Sequence, residues 1–424
     1  MNKCIDDLLG FLDGSPTAYQ ANMQIKCRLD AAGYTELDES SPYRLVPGGK
    51  YYLSRFDTAV IAFIVGSKAL PDTGFGLAAS HIDSPLLKIK RQSIKIEKGI
   101  CRIGTEVYGG PIISTWLDRE LSIAGRVVVK HGEANYSSHS IDLKRPVAII
   151  PNAAIHLNRE INKGFEYNKQ THLQAILSTD SLAGNPLLSA IAEELQLSPE
   201  QICDMDLFLY DPRPAELIGF GGDIICSGRL DNLAMTHAIL SSLLETEAPE
   251  TTTVGIFFDH EEVGSRTAQG ALSSLLPELL ERISLALGLS REDHFRALRK
   301  TYLISADMAH AYHPAYAEKY DHDYLAIMNQ GPVIKLNADY RYSSTADSSL
   351  RFIQACDKAG VKYQRFVVRS DMPCGSTVGP LISTELGISS IDIGNPMWAM
   401  HSIRESSGVQ DHLSLIQALK TFFS

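Results

Sequence analysis

His81 and Asp83 stand two residues apart just beyond the apolar run 76–80, so both leave the end of a short strand with their side chains on one side. An aspartate in that position can accept one imidazole N–H, fixing the tautomer and leaving the other ring nitrogen bare for a metal ion. Similar placements recur along the chain. Asp231 opens the helical stretch 232–245, and Asp259-His260-Glu261-Glu262 follows the apolar run 253–258. Asp307 follows 302–306, and His401 lies beyond 389–393 and an apolar loop. Taken singly, each has an ordinary reading: a strand-end polar pair, a helix N-cap, solvated glutamates, a turn aspartate, a structural histidine. Taken together, they fall at one end of a row of strands or at a helix start beside it, where open α/β sheets bind ligands. One histidine and one carboxylate per metal, a carboxylate shared by both, and a free glutamate suit a catalytic two-metal site with a water position left open.

These residues need a sheet to hold them. Residues 59–65, 76–80, 252–259, 302–306, 364–368 and 389–393 read as short buried strands, with helical stretches at 232–245, 271–287, 348–359 and 412–423. That alternation predicts an α/β unit, its sheet covered on both faces. The chain opens with helices: apolar positions over 16–34 recur at helical spacing, with Ser15 as N-cap and Pro16 at the first helical position. From 91 to 222 the rhythm changes to short β-like runs at 93–96, 122–130 and 147–151, punctuated by Gly and Pro. The expected organisation is one catalytic unit from 1–90 and 223–424, carrying an inserted β-rich domain at 91–222.

Composition removes several alternatives. With 424 residues, 44% apolar and 21% charged, the chain has material for a large core, which excludes disorder and coiled coil. A net charge of −11 leaves no electrostatic footprint for nucleic acid. No apolar run approaches the roughly 20 residues of a spanning helix, so no membrane role is expected. Acidic residues interrupt the N-terminus where a signal peptide would be apolar, which predicts a cytoplasmic protein. Seven cysteines without a Cys-x-x-Cys pair suit reduced thiols, so a metal here must use histidine and carboxylate; such sites accept zinc and also cobalt or manganese.

Further stretches sharpen this reading: Ser80-His-Ile-Asp-Ser-Pro85, Tyr108-Gly-Gly-Pro111, Trp116-Leu-Asp-Arg-Glu-Leu-Ser122, His156-Leu-Asn-Arg159 and Ser227-Gly-Arg-Leu-Asp-Asn-Leu233. Beyond them come Asp259–Ser265, Ser305–His310, Gly331-Pro-Val-Ile-Lys-Leu-Asn337, Pro373-Cys-Gly-Ser-Thr-Val-Gly-Pro380 and Met400-His-Ser-Ile-Arg-Glu405. In this order they resemble the aspartyl aminopeptidase family of dinuclear zinc metallo-aminopeptidases, over nearly the whole chain. The resemblance implies a mixed central sheet flanked by helices, of zinc-peptidase type, with an inserted β-rich oligomerisation domain. It implies two Zn2+ per subunit, with Asp231 bridging, His81 and Asp307 completing one site and Glu262 and His401 the other. Glu261 is then the unligated general base, with Asp83 behind His81. Lys335 would receive the acidic side chain of an N-terminal Asp or Glu on a peptide substrate, helped by Tyr342. His156 would stabilise the oxyanion in a neighbouring subunit of a homo-oligomer, a tetrahedral dodecamer. His260, His310, His313 and His322 match no ligand position, and Ala18 and Gln20 stand where the family often has Pro and His. Two other readings are a metallo-deacylase or carboxypeptidase on a similar scaffold and a metal-stabilised binding protein without turnover. A blocked substrate N-terminus discriminates the first, and a free glutamate beside the metals speaks against the second.

Overall fold

Alternation along the strands decides which side chains face which core. Val60, Ala62 and Ile64 enter one apolar cluster, while their neighbours Ala59, Ile61 and Phe63 enter another. Ala78 joins the first cluster, and Leu77 and Ala79 join the second. A sheet buried on both faces follows, and the computed structural model, which describes residues 2–180 and 185–424, has nine strands in it. Their order is Thr35–Glu36, Lys50–Arg55, Ala59–Ile64, Thr252–Phe258, Phe75–His81, Tyr302–Ala306, Ser389–Gly394, Val333–Leu336 and Gln364–Val367. The four strands from Thr252–Phe258 to Ser389–Gly394 run parallel, so their carboxyl ends share one edge. Antiparallel neighbours on either side make the sheet mixed.

Helices Lys3–Asp13, Ala18–Ala31, Leu230–Leu244, Ala346–Ala359 and Val409–Phe423 cover one face, and Leu275–Ala286, Arg291–Lys300 and Val378–Leu386 cover the other. The second helix starts later than its sequence suggests. Thr17, not Ser15, is its N-cap residue, so Pro16 lies outside the helix. Thr17 is extended, and its hydroxyl donates to Gln20 Oε1 rather than capping a backbone N–H.

An eight-stranded sheet takes its strands from Leu86–Ile89 through Ile202–Tyr210, chiefly antiparallel, around a separate apolar cluster. It begins at Leu86, a few residues before the change of rhythm at 91. Gln20 stitches the first layer to it: its Nε2 donates to the carbonyls of Gly125 and Ile141, 2.9 Å each. A third, five-stranded sheet joins Glu216–Ile218, Ile224–Ser227, Glu405–Gly408, Pro396–Trp398 and Ala309–His310. Among the described residues no helix is long and apolar enough to cross a membrane.

The helical core also holds polar groups. His237 Nε2 lies 2.9 Å from Asp7 Oδ2, and His237 Nδ1 lies 2.9 Å from His412 Nε2. Asp7, also paired with Arg28, accepts the Nε2–H of His237, so Nδ1 must accept from the Nε2–H of His412. That arrangement requires His237 to be neutral, with its Nδ1 bare. Burial depresses both histidines, and the hydrogen bond from His237 followed by Arg28 holds the Asp7 carboxyl far down. Groups with depressed folded pKa values bind protons more readily when unfolded, so their contribution disappears as pH falls. For the histidines the loss begins near the unfolded value of about 6.5, at up to about 1.4 kcal/mol per pH unit for each ring. Melting followed from pH 7.5 to 5.5 should therefore show His412→Gln, which keeps a donor toward His237, losing stability less steeply than wild type. Equal slopes would refute the relay.

Candidate active site

The parallel register brings the first residues together. Phe258 pairs with His81 and Ser305 with Ala79, so Asp259 and Asp307 emerge beside His81 at the same sheet edge. His81 is buried and its Nδ1 lies 3.0 Å from the Asp83 carbonyl and 3.3 Å from Asp83 Oδ1. Its Nε2 faces Asp231 Oδ1 at 3.5 Å, Asp307 Oδ2 at 3.7 Å and Glu261 Oε2 at 4.0 Å. His401 repeats the pattern: Nδ1 is 3.1 Å from the Gly110 carbonyl, and Nε2 is 3.3 Å from Asp231 Oδ2 and 3.4 Å from Glu262 Oε2. Asp231 thus turns one oxygen to each histidine.

Asp231 does not cap a helix. Asp231 and Asn232 are non-helical within Leu230–Leu244, and their peptide is cis. The Ser84 hydroxyl holds the Asp231 carbonyl at 2.7 Å, and Asn232 Nδ2 donates to the Ala306 carbonyl at 2.9 Å. Glu261 and Glu262 sit on the short turn Glu261–Val263, entered through His260 in the left-handed region. Asp83 ties that turn down, Oδ1 accepting from the N–H of Glu261 and Oδ2 from that of Glu262, both at 3.1 Å.

Burial and mutual repulsion work against this many carboxylates. Burial pushes Glu261 up to about 8, with Asp307, Asp83 and Asp231 adding to it and His81 opposing. Glu262 is raised well above its ordinary value by burial and then by Asp231. For the histidines, burial favours the neutral ring, but Asp231, Asp307 and Asp83 overcome it at His81. Asp231 and Glu262 do the same at His401, which reaches about 10. Such a cluster calls for a cation. Asp231 Oδ1 and Glu262 Oε1 are buried acceptors with no hydrogen bond, and ligand atoms of His81, Asp231 and Glu262 lie within 4.8 Å of one another. Imidazole nitrogens and carboxylate oxygens so disposed fit zinc.

Lys335, expected at the pocket floor, is 2% exposed; a lysine is rarely buried unless paired. Nζ donates to Asp307 Oδ1 at 2.9 Å and to the Met308 carbonyl at 3.2 Å, and lies 5.0 Å from the centre of the Tyr342 ring. Tyr342 is buried; burial and then Cys374 push its phenol far above the ordinary value. His156 lies apart, exposed on a turn between the exposed Ile155 and Leu157. The other histidines go elsewhere. His260 meets Thr267, His310 packs edge-on to Phe366, His313 receives the N–H of Ala315, and His322 is exposed. The i, i+3 spacing of His310 and His313 is not helical: His310 ends a two-residue strand.

Two members of the site carry no role in the sequence reading. Glu405, 1% exposed, accepts from the N–H of His401 at 2.7 Å and of Asp231 at 3.1 Å, clamping residues 170 positions apart. Tyr108 donates its hydroxyl to Asp83 Oδ2 at 2.6 Å. The signal available was their membership of the quoted stretches 400–405 and 108–111.

A family model described as aminopeptidase I zinc metalloprotease (M18) matches residues 11–423. The chain is 44% identical to the probable M18 family aminopeptidase 2 of Clostridium novyi (strain NT) over 427 residues, covering 100% of this chain and 99% of that protein. It is 42% identical to the corresponding protein of Stutzerimonas stutzeri (strain A1501), covering 98% of this chain and 97% of that one. Among solved structures, it is similar to a cryo-EM structure of the Ape4 and Nbr1 complex, with TM-score 0.94, 36% identity and coverage of 99% of this chain and 85% of that one. It is also similar to the structure of the S. cerevisiae mApe1 dodecamer, with TM-score 0.87, 26% identity and coverage of 99% and 95%.

Proposed function

Because this chain belongs to the M18 family of zinc metallo-aminopeptidases, we propose that it removes an acidic residue, Asp or Glu, from the N-terminus of peptides with two zinc ions per subunit. The observation that carries the two-metal part is Asp231, buried between His81 and His401 with one oxygen toward each. His81 and Asp307 would hold one ion, Glu262 and His401 the other, and Asp231 both. Zinc there supplies Lewis acidity toward water and the scissile carbonyl and a hold on the free N-terminal amine.

The protein's own groups do the rest. Glu261, in the cluster but outside that ligand set, takes a proton from the attacking water at its carboxylate and returns it to the leaving amine. Asp83 keeps the proton of His81 on Nδ1 and steadies the turn that carries Glu261. Lys335 spends two N–H groups on Asp307 and Met308, which leaves the third for a substrate carboxylate. Tyr342 supports the ammonium from its ring face.

The eight-stranded sheet would serve assembly into a dodecamer of the kind described for the S. cerevisiae protein, with exposed His156 reaching a neighbouring active site to stabilise the oxyanion. Light scattering that returned the 46.5 kDa of a single chain would remove this part.

The deciding experiment is a panel of aminoacyl substrates, acidic and neutral, free and N-blocked, with and without chelator. Free acidic substrates should be cleaved, blocked ones not, and chelator should stop the reaction. Lys335→Ala should then lose kcat/KM for acidic substrates by about a hundredfold, the 2–3 kcal/mol of a charge-assisted hydrogen bond, and far less for neutral ones. An equal loss on both would make Lys335 a partner of Asp307 alone.

A further inference from the structure

Residues 108–115 leave the eight-stranded sheet at the end of the strand Ile100–Tyr108 and run against the metal-binding loops. Four hydrogen bonds tie them there. The Tyr108 hydroxyl donates to Asp83 Oδ2 at 2.6 Å, and His401 Nδ1 donates to the Gly110 carbonyl at 3.1 Å. The N–H of Ile112 donates to the His401 carbonyl at 2.9 Å, and the N–H of Ile403 to Thr115 Oγ1 at 3.1 Å. Close approach explains the first glycine of the Tyr-Gly-Gly-Pro stretch. Gly109 has φ +69°, and a Cβ there would stand 3.2 Å from the Cβ of Glu262 and 3.4 Å from Pro85.

A ligating imidazole must present a bare nitrogen, and an acceptor on its other nitrogen keeps the proton away from the metal side. For His401 that acceptor is the Gly110 carbonyl. On the His81 side it is the Asp83 carbonyl, and the Asp83 carboxylate carries the backbone of Glu261 and Glu262. Tyr108 is the group from the other sheet that fixes this carboxylate.

We propose that residues 108–115 are a positioning element through which the eight-stranded sheet holds both halves of the zinc site, Tyr108 acting through Asp83 and the Gly110 carbonyl acting on His401. The proposal rests on the two-zinc reading above. It assigns Tyr108 a positioning role, since the hydroxyl meets Asp83 and no reacting atom. It also gives the sheet a second task besides assembly: a displacement of the strand Ile100–Tyr108 is passed directly to Asp83 and the turn behind it.

The test is Tyr108→Phe, which removes one oxygen and keeps the ring that packs against Phe208. Zinc-stripped wild type and variant are titrated with zinc against a chromophoric chelator, alongside circular dichroism, light scattering, kcat and KM. The expected result is an unchanged spectrum and assembly, zinc affinity lower by about 10- to 100-fold, and a reduced kcat with KM within about twofold. In an Asp83→Asn background the same change should add little, because the two side chains act as one unit. Wild-type zinc affinity together with wild-type kcat in Tyr108→Phe would overturn the proposal, as would full additivity with Asp83→Asn. The titration needs no turnover, so a wild type inactive on every peptide would sink the substrate assignment while the zinc affinities still judged Tyr108.

Discussion

Glu261→Gln should retain its zinc and lose at least about a hundredfold in kcat, the lower end of what a positioned general base contributes. The substitution is isosteric and removes only the capacity to take up and return a proton. Zinc should stay because the proposed ligands are His81, Asp231, Glu262, Asp307 and His401, all of which the substitution leaves in place. The side chain is 17% exposed, enough to meet water, and burial already pushes its carboxyl up to about 8. Elemental analysis and steady-state kinetics on a free acidic aminoacyl substrate decide the matter. Full activity would remove the base from the mechanism, and loss of zinc would turn Glu261 into a ligand.

The gathering of His81, Asp231, Glu261, Glu262 and Asp307 was legible because each follows a strand or stands where a helix opens at the same sheet edge, whereas His401 lies between two strands of the five-stranded sheet. Parallel pairing of Phe258 with His81 then makes neighbours of residues far apart in the chain. Alternation alone also told that the central sheet is covered twice. Groups acting through the backbone were not legible. Glu405 holds backbone N–H groups, which every residue type possesses, and Gly110 offers the His401 ring only its backbone carbonyl, so residue type alone gives neither a role. Lys335 reads as solvent-facing by type; its burial depends on Asp307, the Met308 carbonyl and the Tyr342 ring, all supplied by tertiary structure. Asp231 shows the limit of local rules most clearly. Before an amphipathic helix an aspartate is normally an N-cap, but here the backbone of 231 and 232 leaves the helical region and the carboxylate turns to two histidines. Ser15 and Pro16 fail for a related reason. The extended Thr17 intervenes, and Gln20, where the resembling family often has His, is spent on the other sheet.

The same carboxylate yields the sharpest separation of metal binding from folding. Asp231→Asn keeps the shape and the carbonyl bond from Ser84, which involves the backbone only. It replaces a shared anion by a neutral amide, and an amide cannot serve two cations as a carboxylate does. In wild type, zinc binds the folded chain alone and raises its stability by about 2.7 kcal/mol when free zinc is a hundred times the dissociation constant. Asp231→Asn should therefore fold and assemble, yet show a melting temperature that no longer climbs with added zinc. Its kcat should fall by about a thousandfold or more, since about 4 kcal/mol of transition-state stabilisation corresponds to that factor and a Lewis-acid metal supplies several. Tyr108→Phe, which leaves the carboxylate of Asp231 in place, should by contrast keep a zinc-dependent rise, displaced to higher zinc. If the melting temperature of Asp231→Asn followed zinc as wild type does, either the shared ligand would have to be another residue or His81 and His401 would belong to two independent sites.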